Sequence, residues 1–148
     1  MSLSGILTEK TVAIGLHSKD KQGVIHELID MLVVSGLISD KAAALEAVMV
    51  REHKMSTGMK YGIAIPHGKT KTVSSLVACV GISKDPIPFD SLDDEPARIF
   101  IMTISPPEKT GPHLQFLAEV SQLFKSEAKR EAAIGATSPE ELLSIITL

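Results

Sequence analysis

Three side chains in this sequence have settings that suit chemistry: His67, His113 and Arg51. His67 lies in Gly62-Ile63-Ala64-Ile65-Pro66-His67-Gly68-Lys69, directly after a short apolar run. A strand end is a rigid support, and reactive groups are commonly carried on loops held by such a scaffold. Pro66 restricts the backbone before the imidazole and offers no N–H. Gly62 and Gly68 remove side-chain bulk on either side, which leaves room for a partner to approach. Lys69 adds a cation. These local features leave two readings, a polar turn residue or an imidazole delivered to a site.

His113 follows Thr110-Gly111-Pro112, a pattern that predicts a helix start with Pro112 at the first helical position. The imidazole would then lie near unpaired backbone N–H groups at the positive end of the helix dipole. That position disfavours imidazolium and attracts an anion. No Asp or Glu occurs between Gly111 and Ala118 to compete for it. Arg51 falls in the last turn of a predicted helix, where a cation complements the dipole. Its guanidinium also matches phosphate in a forked geometry.

Other chemistries find little support. His17, His26 and His53 are isolated and read as ordinary surface or helix-end residues. No HExxH motif or paired Cys/His spacing suggests zinc, and His67 with His113 lacks an indicated acidic third ligand. The sequence has no GxxxxGK[ST] loop and no GxSxG elbow. Cys79 lies inside SLVACVGI and reads as a small buried hydrophobe rather than a nucleophile.

The elements that must position these residues can be drafted from periodicity. Thr11 to His17 reads as a short strand. Asp20 caps a helix through Val34 in which Ile25, Leu28, Ile29 and Leu32 recur at helical spacing, and Gly36 marks its end. A second helix follows Ser39 or Asp40 and runs to about Glu52. Ser56 to Gly58 forms a loop, and Tyr61 to Ile65 a strand, since a residue before proline is pushed towards extended backbone. Ser75 to Ile82 and Ile99 to Ile104 are further strands, the latter apolar enough to be buried on both faces. Between them lies a predicted loop from Lys84 to Pro96. Helices are expected over Pro112 to Phe124, Glu127 to Ile134 and Pro139 to Ile146, the last opened by Ser138 with Glu141 in a capping box. This order predicts an α/β fold over residues 1–148, one domain with a mixed central β-sheet flanked by helices.

Composition sets the outer limits. The chain has 148 residues, 44% of them hydrophobic and 22% charged, which suits a globular domain with its own core. With four Phe, one Tyr and no Trp, that core must be built from aliphatic side chains and Met. A net charge of -3, with both signs scattered, argues against nucleic acid as a partner. The sequence shows no apolar run of membrane-spanning length, no signal-peptide pattern and a single cysteine, so the cytoplasm is the expected compartment.

The stretch VREHKMSTGMKYGIAIPHGKT, with TGPHLQFLAEVSQLF and SPEELLSIIT further on, resembles the enzyme IIA components of the phosphoenolpyruvate-dependent sugar phosphotransferase system (PTS). The similarity is to the fructose/mannitol type, which includes the nitrogen-regulatory PTS proteins, and it spans nearly the whole chain. It implies that His67 accepts a phosphoryl group from the phosphocarrier protein HPr and passes it to a cysteine on a IIB domain. It also assigns Arg51 and His113 to contacts with the phosphoryl group. The donor being a phosphohistidine, the scheme requires no nucleotide, metal or other cofactor, and any association with a membrane permease would run through IIB and IIC. Met59-Lys60-Tyr61 departs from the small Gly-Asn type segment common in the family at this place. Met55, Met59 and Tyr61 are candidates for a partner surface if exposed, and Met55 and Met59 could equally be core.

Overall fold

Two long helices in the first third of the chain open on aspartate caps, one at Asp20 as the sequence predicts and one at Asp40, one of the two starts it left open. In the computed structural model, which describes residues 3–147, the Asp20 carboxylate accepts the Gly23 N–H at 2.7 Å and opens α2 (Lys21–Val34), preceded in the chain by the short α1 (Leu3–Ile6). Asp40 accepts the Ala43 N–H at 3.0 Å and opens α3 (Lys41–Lys54). Each cap satisfies a donor the helix cannot, worth about 1 kcal/mol. Gly36, at φ +80°, turns the chain out of α2.

Five strands form one mixed sheet. β1 (Val12–Ile14) runs parallel to β4 (Val77–Ile87), which pairs antiparallel with β5 (Ala97–Ser105). On the far side of β5 lie β2 (Ile63–Ala64) and β3 (His67–Lys69), both parallel to it. The registers Ile63↔Ile99 and His67↔Thr103 have the same offset, so β2 and β3 are one edge strand interrupted at Ile65-Pro66. α2 and α3 cover one face, where Ile25, Leu28, Ile29 and Leu32 pack on Cys79, Phe100 and Met102. The other face is covered by α4 (Thr110–Leu123), α5 (Glu127–Ile134) and α6 (Pro139–Thr147), with Phe116, Val120 and Leu142 against Ala78, Ile99 and Ile101. Burying each such Leu or Phe is worth about 1.5–3 kcal/mol. β5 has both faces covered, and Ile99 through Ile104 are each at most 1% exposed.

Several boundaries differ from the sequence reading. The first strand is only Val12–Ile14, because Gly15 turns at φ +67°. β4 continues to Ile87 through the predicted loop, after a register irregularity between Ile82 and Ile87 that accommodates the exposed Lys84-Asp85-Pro86. The strand predicted from Tyr61 begins at Ile63, because Tyr61 (φ 65°) and Gly62 (φ 76°) form a left-handed turn. At α6 the Ser138 hydroxyl accepts the Glu141 N–H at 3.1 Å, but the Glu141 carboxylate reaches back to Thr137 instead of closing a capping box on Ser138.

Candidate functional site

His67 opens β3 rather than closing the strand before it, and Pro66 is the break between the two. The carbonyl of Pro66 accepts the Thr103 N–H at 3.2 Å, which ties the break to the central strand β5. The ring is fixed in turn by its own chain: Nδ1 lies 2.9 Å from the Ile65 carbonyl oxygen. A carbonyl can only accept, so Nδ1 carries the proton and Nε2 keeps its lone pair.

Gly68 serves a different purpose from the one its sequence context suggests. A Cβ at this position would stand 2.7 Å from the backbone of Ala47 and Val48 in α3. The glycine makes room for a helix, not for an approaching partner, and brings α3 down onto β3. Gly62 is required by its positive φ, with its nearest neighbour at 3.6 Å.

That close approach brings the last turns of α3 beside His67. Arg51, Lys54, His67, Lys69, Thr110 and His113 line one cavity of about 420 Å³, together with the exposed apolar Val50 and Leu114. The three residues singled out in the sequence therefore share a site. Arg51 Nη1 donates to the Met55 carbonyl at 2.6 Å, which anchors the guanidinium at the end of α3. Lys69 Nζ donates to Thr110 Oγ1 at 3.2 Å across the opening. α4 starts at Thr110, two residues earlier than predicted, and its N-cap Lys109 makes no side-chain capping bond. His113 is thus the fourth helical residue. Its ring centroid lies 4.9 Å from that of His67, and it is only 6% exposed.

Both imidazoles are held neutral. Burial lowers the pKa of His67; the Ile65 carbonyl and Glu52 oppose this, while Arg51 and Lys69 act with it. Burial, then the neighbouring His67 and Lys69, pushes His113 down to about 4. An imidazole with a free ring nitrogen, a second imidazole, a guanidinium and an ammonium around one open cavity suit a bound anion. Among the described residues no group of three or more His, Cys, Asp or Glu is placed to hold a metal ion. Cys79 is buried and its thiol pKa is raised by that burial, which makes it inert. His17, His26 and His53 are exposed away from this cavity.

Sequence reading missed the supports. Glu52, 8% exposed, accepts the Thr57 N–H at 2.9 Å and its hydroxyl at 2.5 Å, and pairs with Lys21 at 2.7 Å. Thr57 in turn accepts the Ile65 N–H through its carbonyl at 3.0 Å. A chain of bonds thus runs from α3 through the 55–58 loop to the residue that holds His67. Thr103, beneath both histidines, was also missed, although a lone hydroxyl inside the apolar run IFIMTI was a signal. Met55, Met59 and Tyr61 are exposed at 66%, 37% and 63%. Met59 and Tyr61 border a separate apolar cavity of about 290 Å³ between β2 and α4.

The profile of the family described as "Phosphoenolpyruvate-dependent sugar phosphotransferase system, EIIA 2" matches residues 5–148. The chain belongs to this family. A fructose-specific EIIABC component of the PTS from Bacillus subtilis is 35% identical over 146 residues, covering 99% of this chain but 23% of that larger protein. A fructose-specific EIIA component from Haloferax volcanii is 36% identical over 126 residues, 85% of this chain and 82% of its own length. Among solved structures, nitrogen regulatory protein IIA-Ntr from Neisseria meningitidis matches with a TM-score of 0.90 at 26% identity, over 98% of this chain and 99% of that one. Mannitol enzyme IIA from Escherichia coli, solved in complex with phosphorylated enzyme IIB, has the same fold with a TM-score of 0.81 at 21% identity, over 95% and 96%. Proteins of this family are phosphotransfer components of the PTS. No helix among the described residues is long and apolar enough to cross a membrane.

Proposed function

We propose that this protein is a phosphocarrier in which His67 Nε2 accepts a phosphoryl group from phospho-HPr and hands it to a cysteine of a IIB domain for sugar uptake. The observation that carries this reading is the bond from His67 Nδ1 to the Ile65 carbonyl, which leaves Nε2 as the free nitrogen beside the cavity shared with Arg51 and His113. In the accepting step the Nε2 lone pair attacks phosphorus. The P–N bond to the donor histidine breaks, and that nitrogen leaves with the electron pair. In the donating step a IIB thiolate attacks phosphorus, the P–Nε2 bond breaks and its electrons return to the His67 ring. Transfer of this kind asks mainly for alignment and for stabilisation of charge spread over the equatorial oxygens. Arg51, Lys69 and the first turn of α4 are the groups for that charge, and Arg51 and His113 are the contacts we assign to the phosphoryl oxygens. The exposed Val50 and Leu114 that line the cavity, with the exposed Met55 whose carbonyl anchors Arg51, would give HPr and IIB an apolar surface with a charged rim.

Incubation with phosphoenolpyruvate, enzyme I and HPr tests the assignment. Wild type takes up phosphate and His67→Ala takes up none; an undiminished phosphorylated band in His67→Ala refutes it. The likeness to IIA-Ntr along the whole chain supports a second reading, a regulatory phosphoprotein that binds partners in one phosphorylation state. Transfer onward to a sugar-permease IIB domain favours the first reading, and failure with a panel of such domains favours the second.

A further inference from the structure

Thr103 is tied to the supports of both histidines, through its backbone to the strand of His67 and through its hydroxyl to His113. Its backbone is in register with His67 across β3 and β5, and its N–H is bound by the Pro66 carbonyl. Its hydroxyl lies 3.2 Å from His113 Nδ1, and the residue is 1% exposed. His113 Nδ1 is the single hydrogen-bond partner found for this hydroxyl among the described residues. A buried hydroxyl proton without an acceptor is costly. If Nδ1 carried the proton, Nδ1–H would donate to Oγ1 and the hydroxyl proton would have no acceptor. If Nδ1 is bare, the hydroxyl donates to it and both groups are satisfied.

We propose that Thr103 is a positioning residue that locks neutral His113 in the tautomer with its proton on Nε2. The two rings then have opposite tautomers. The Ile65 carbonyl keeps the proton of His67 on Nδ1 and its Nε2 bare; Thr103 keeps Nδ1 of His113 bare and makes its Nε2 a donor. In the cavity the pair presents one lone pair and one N–H, the complement that a phosphorus atom and its oxygen require. The opposite tautomer of His113 would set a second lone pair against the anion. The functional consequence rests on the phosphocarrier reading of His67; the tautomer does not.

Long-range ¹H–¹⁵N correlation of the imidazoles in the unphosphorylated full chain, at neutral pH, reads the tautomers directly. The expected spectrum has a pyridine-like Nδ1 and a pyrrole-like Nε2 for His113, and the reverse for His67. A protonated Nδ1 on His113 overturns the proposal. Thr103→Val removes the hydroxyl at nearly constant volume, and its His113 should become a mixture of tautomers. Phosphate uptake in that variant should slow about fivefold to tenfold, the worth of one hydrogen bond made in the transition state. Thr103→Ser should restore both readouts to within about twofold of wild type. Unchanged tautomer or rate in Thr103→Val, with a folded melt, overturns the role; if that variant does not fold, the wild-type spectrum and Thr103→Ser decide it. Should wild type take up no phosphate, the phosphocarrier reading fails while the spectrum still decides the tautomer.

Discussion

Gly68→Ala separates packing from chemistry at the heart of the site. The backbone of Gly68 is not in the left-handed region, so alanine meets no conformational strain there. It meets α3 instead: the new Cβ would lie 2.7 Å from Ala47 C and Val48 N and 2.9 Å from Ala47 Cβ. Ordinary carbon contacts are about 3.5–4.0 Å, so helix and strand must part by roughly 1 Å. Overpacking of this size costs about 1–3 kcal/mol. For a chain of this length each kcal/mol lowers Tm by about 2–4 °C, so the melt should fall by roughly 2–12 °C. The same displacement carries Arg51, one turn beyond Ala47, away from His67. A misplacement of about 1 Å can cost up to 10²-fold in rate, so phosphate uptake should drop by roughly tenfold to hundredfold. The assay is a thermal melt beside the initial rate of uptake from phospho-HPr, both run well below the variant's Tm. Gly111→Ala is the control, because nothing lies within 4 Å of its added Cβ; its melt should be unchanged or slightly raised. A Gly68→Ala protein with wild-type melt and rate, or equal losses in both variants, refutes the argument that this glycine seats α3 on β3.

Two further expectations follow from buried groups. Burial holds His113 near 4, below its value in the unfolded chain, so between about pH 6.5 and 4 the unfolded state binds the extra proton and stability falls with acidification. On the order of 3 kcal/mol of that loss belongs to His113, and urea titrations across this range should show a shallower decline in His113→Gln; parallel curves would contradict it. Glu52→Gln keeps the shape but removes the charge paired with Lys21 and weakens the hold on Thr57. We expect it to lose about 1–3 kcal/mol in urea unfolding and to slow phosphate uptake through the Thr57–Ile65–His67 chain; a loss of stability with wild-type uptake would show that the chain does not position His67.

What the sequence revealed of the fold was local. Asp20 was legible as a cap, and the second helix start could be narrowed to Ser39 or Asp40, because capping is settled within three residues; β5 was legible because an apolar run without alternation has few alternatives. Boundaries slipped where one residue's backbone overrode the pattern, as Tyr61 and Gly62 do with positive φ. The exposed Lys84-Asp85-Pro86 looked like a loop because the β4–β5 irregularity that tolerates them depends on a strand ten or more residues away. His67, His113 and Arg51 could be named, and the structure brings them to one cavity. The bonds that orient them could not be named. Thr103 meets His113 only once α4 folds back over β5, and Gly68 meets Ala47 only once α3 lies on the sheet. Such contacts leave at most a faint mark in the sequence, such as one hydroxyl in an apolar strand.

The most direct test of the account is to locate the phosphoryl group. The protein phosphorylated by phosphoenolpyruvate, enzyme I and HPr should carry one acid-labile phosphate, with ³¹P–¹⁵N coupling to Nε2 of His67 while Nδ1 stays protonated on the Ile65 carbonyl. Phosphate on Nδ1 of His67, or on any other residue, would contradict it.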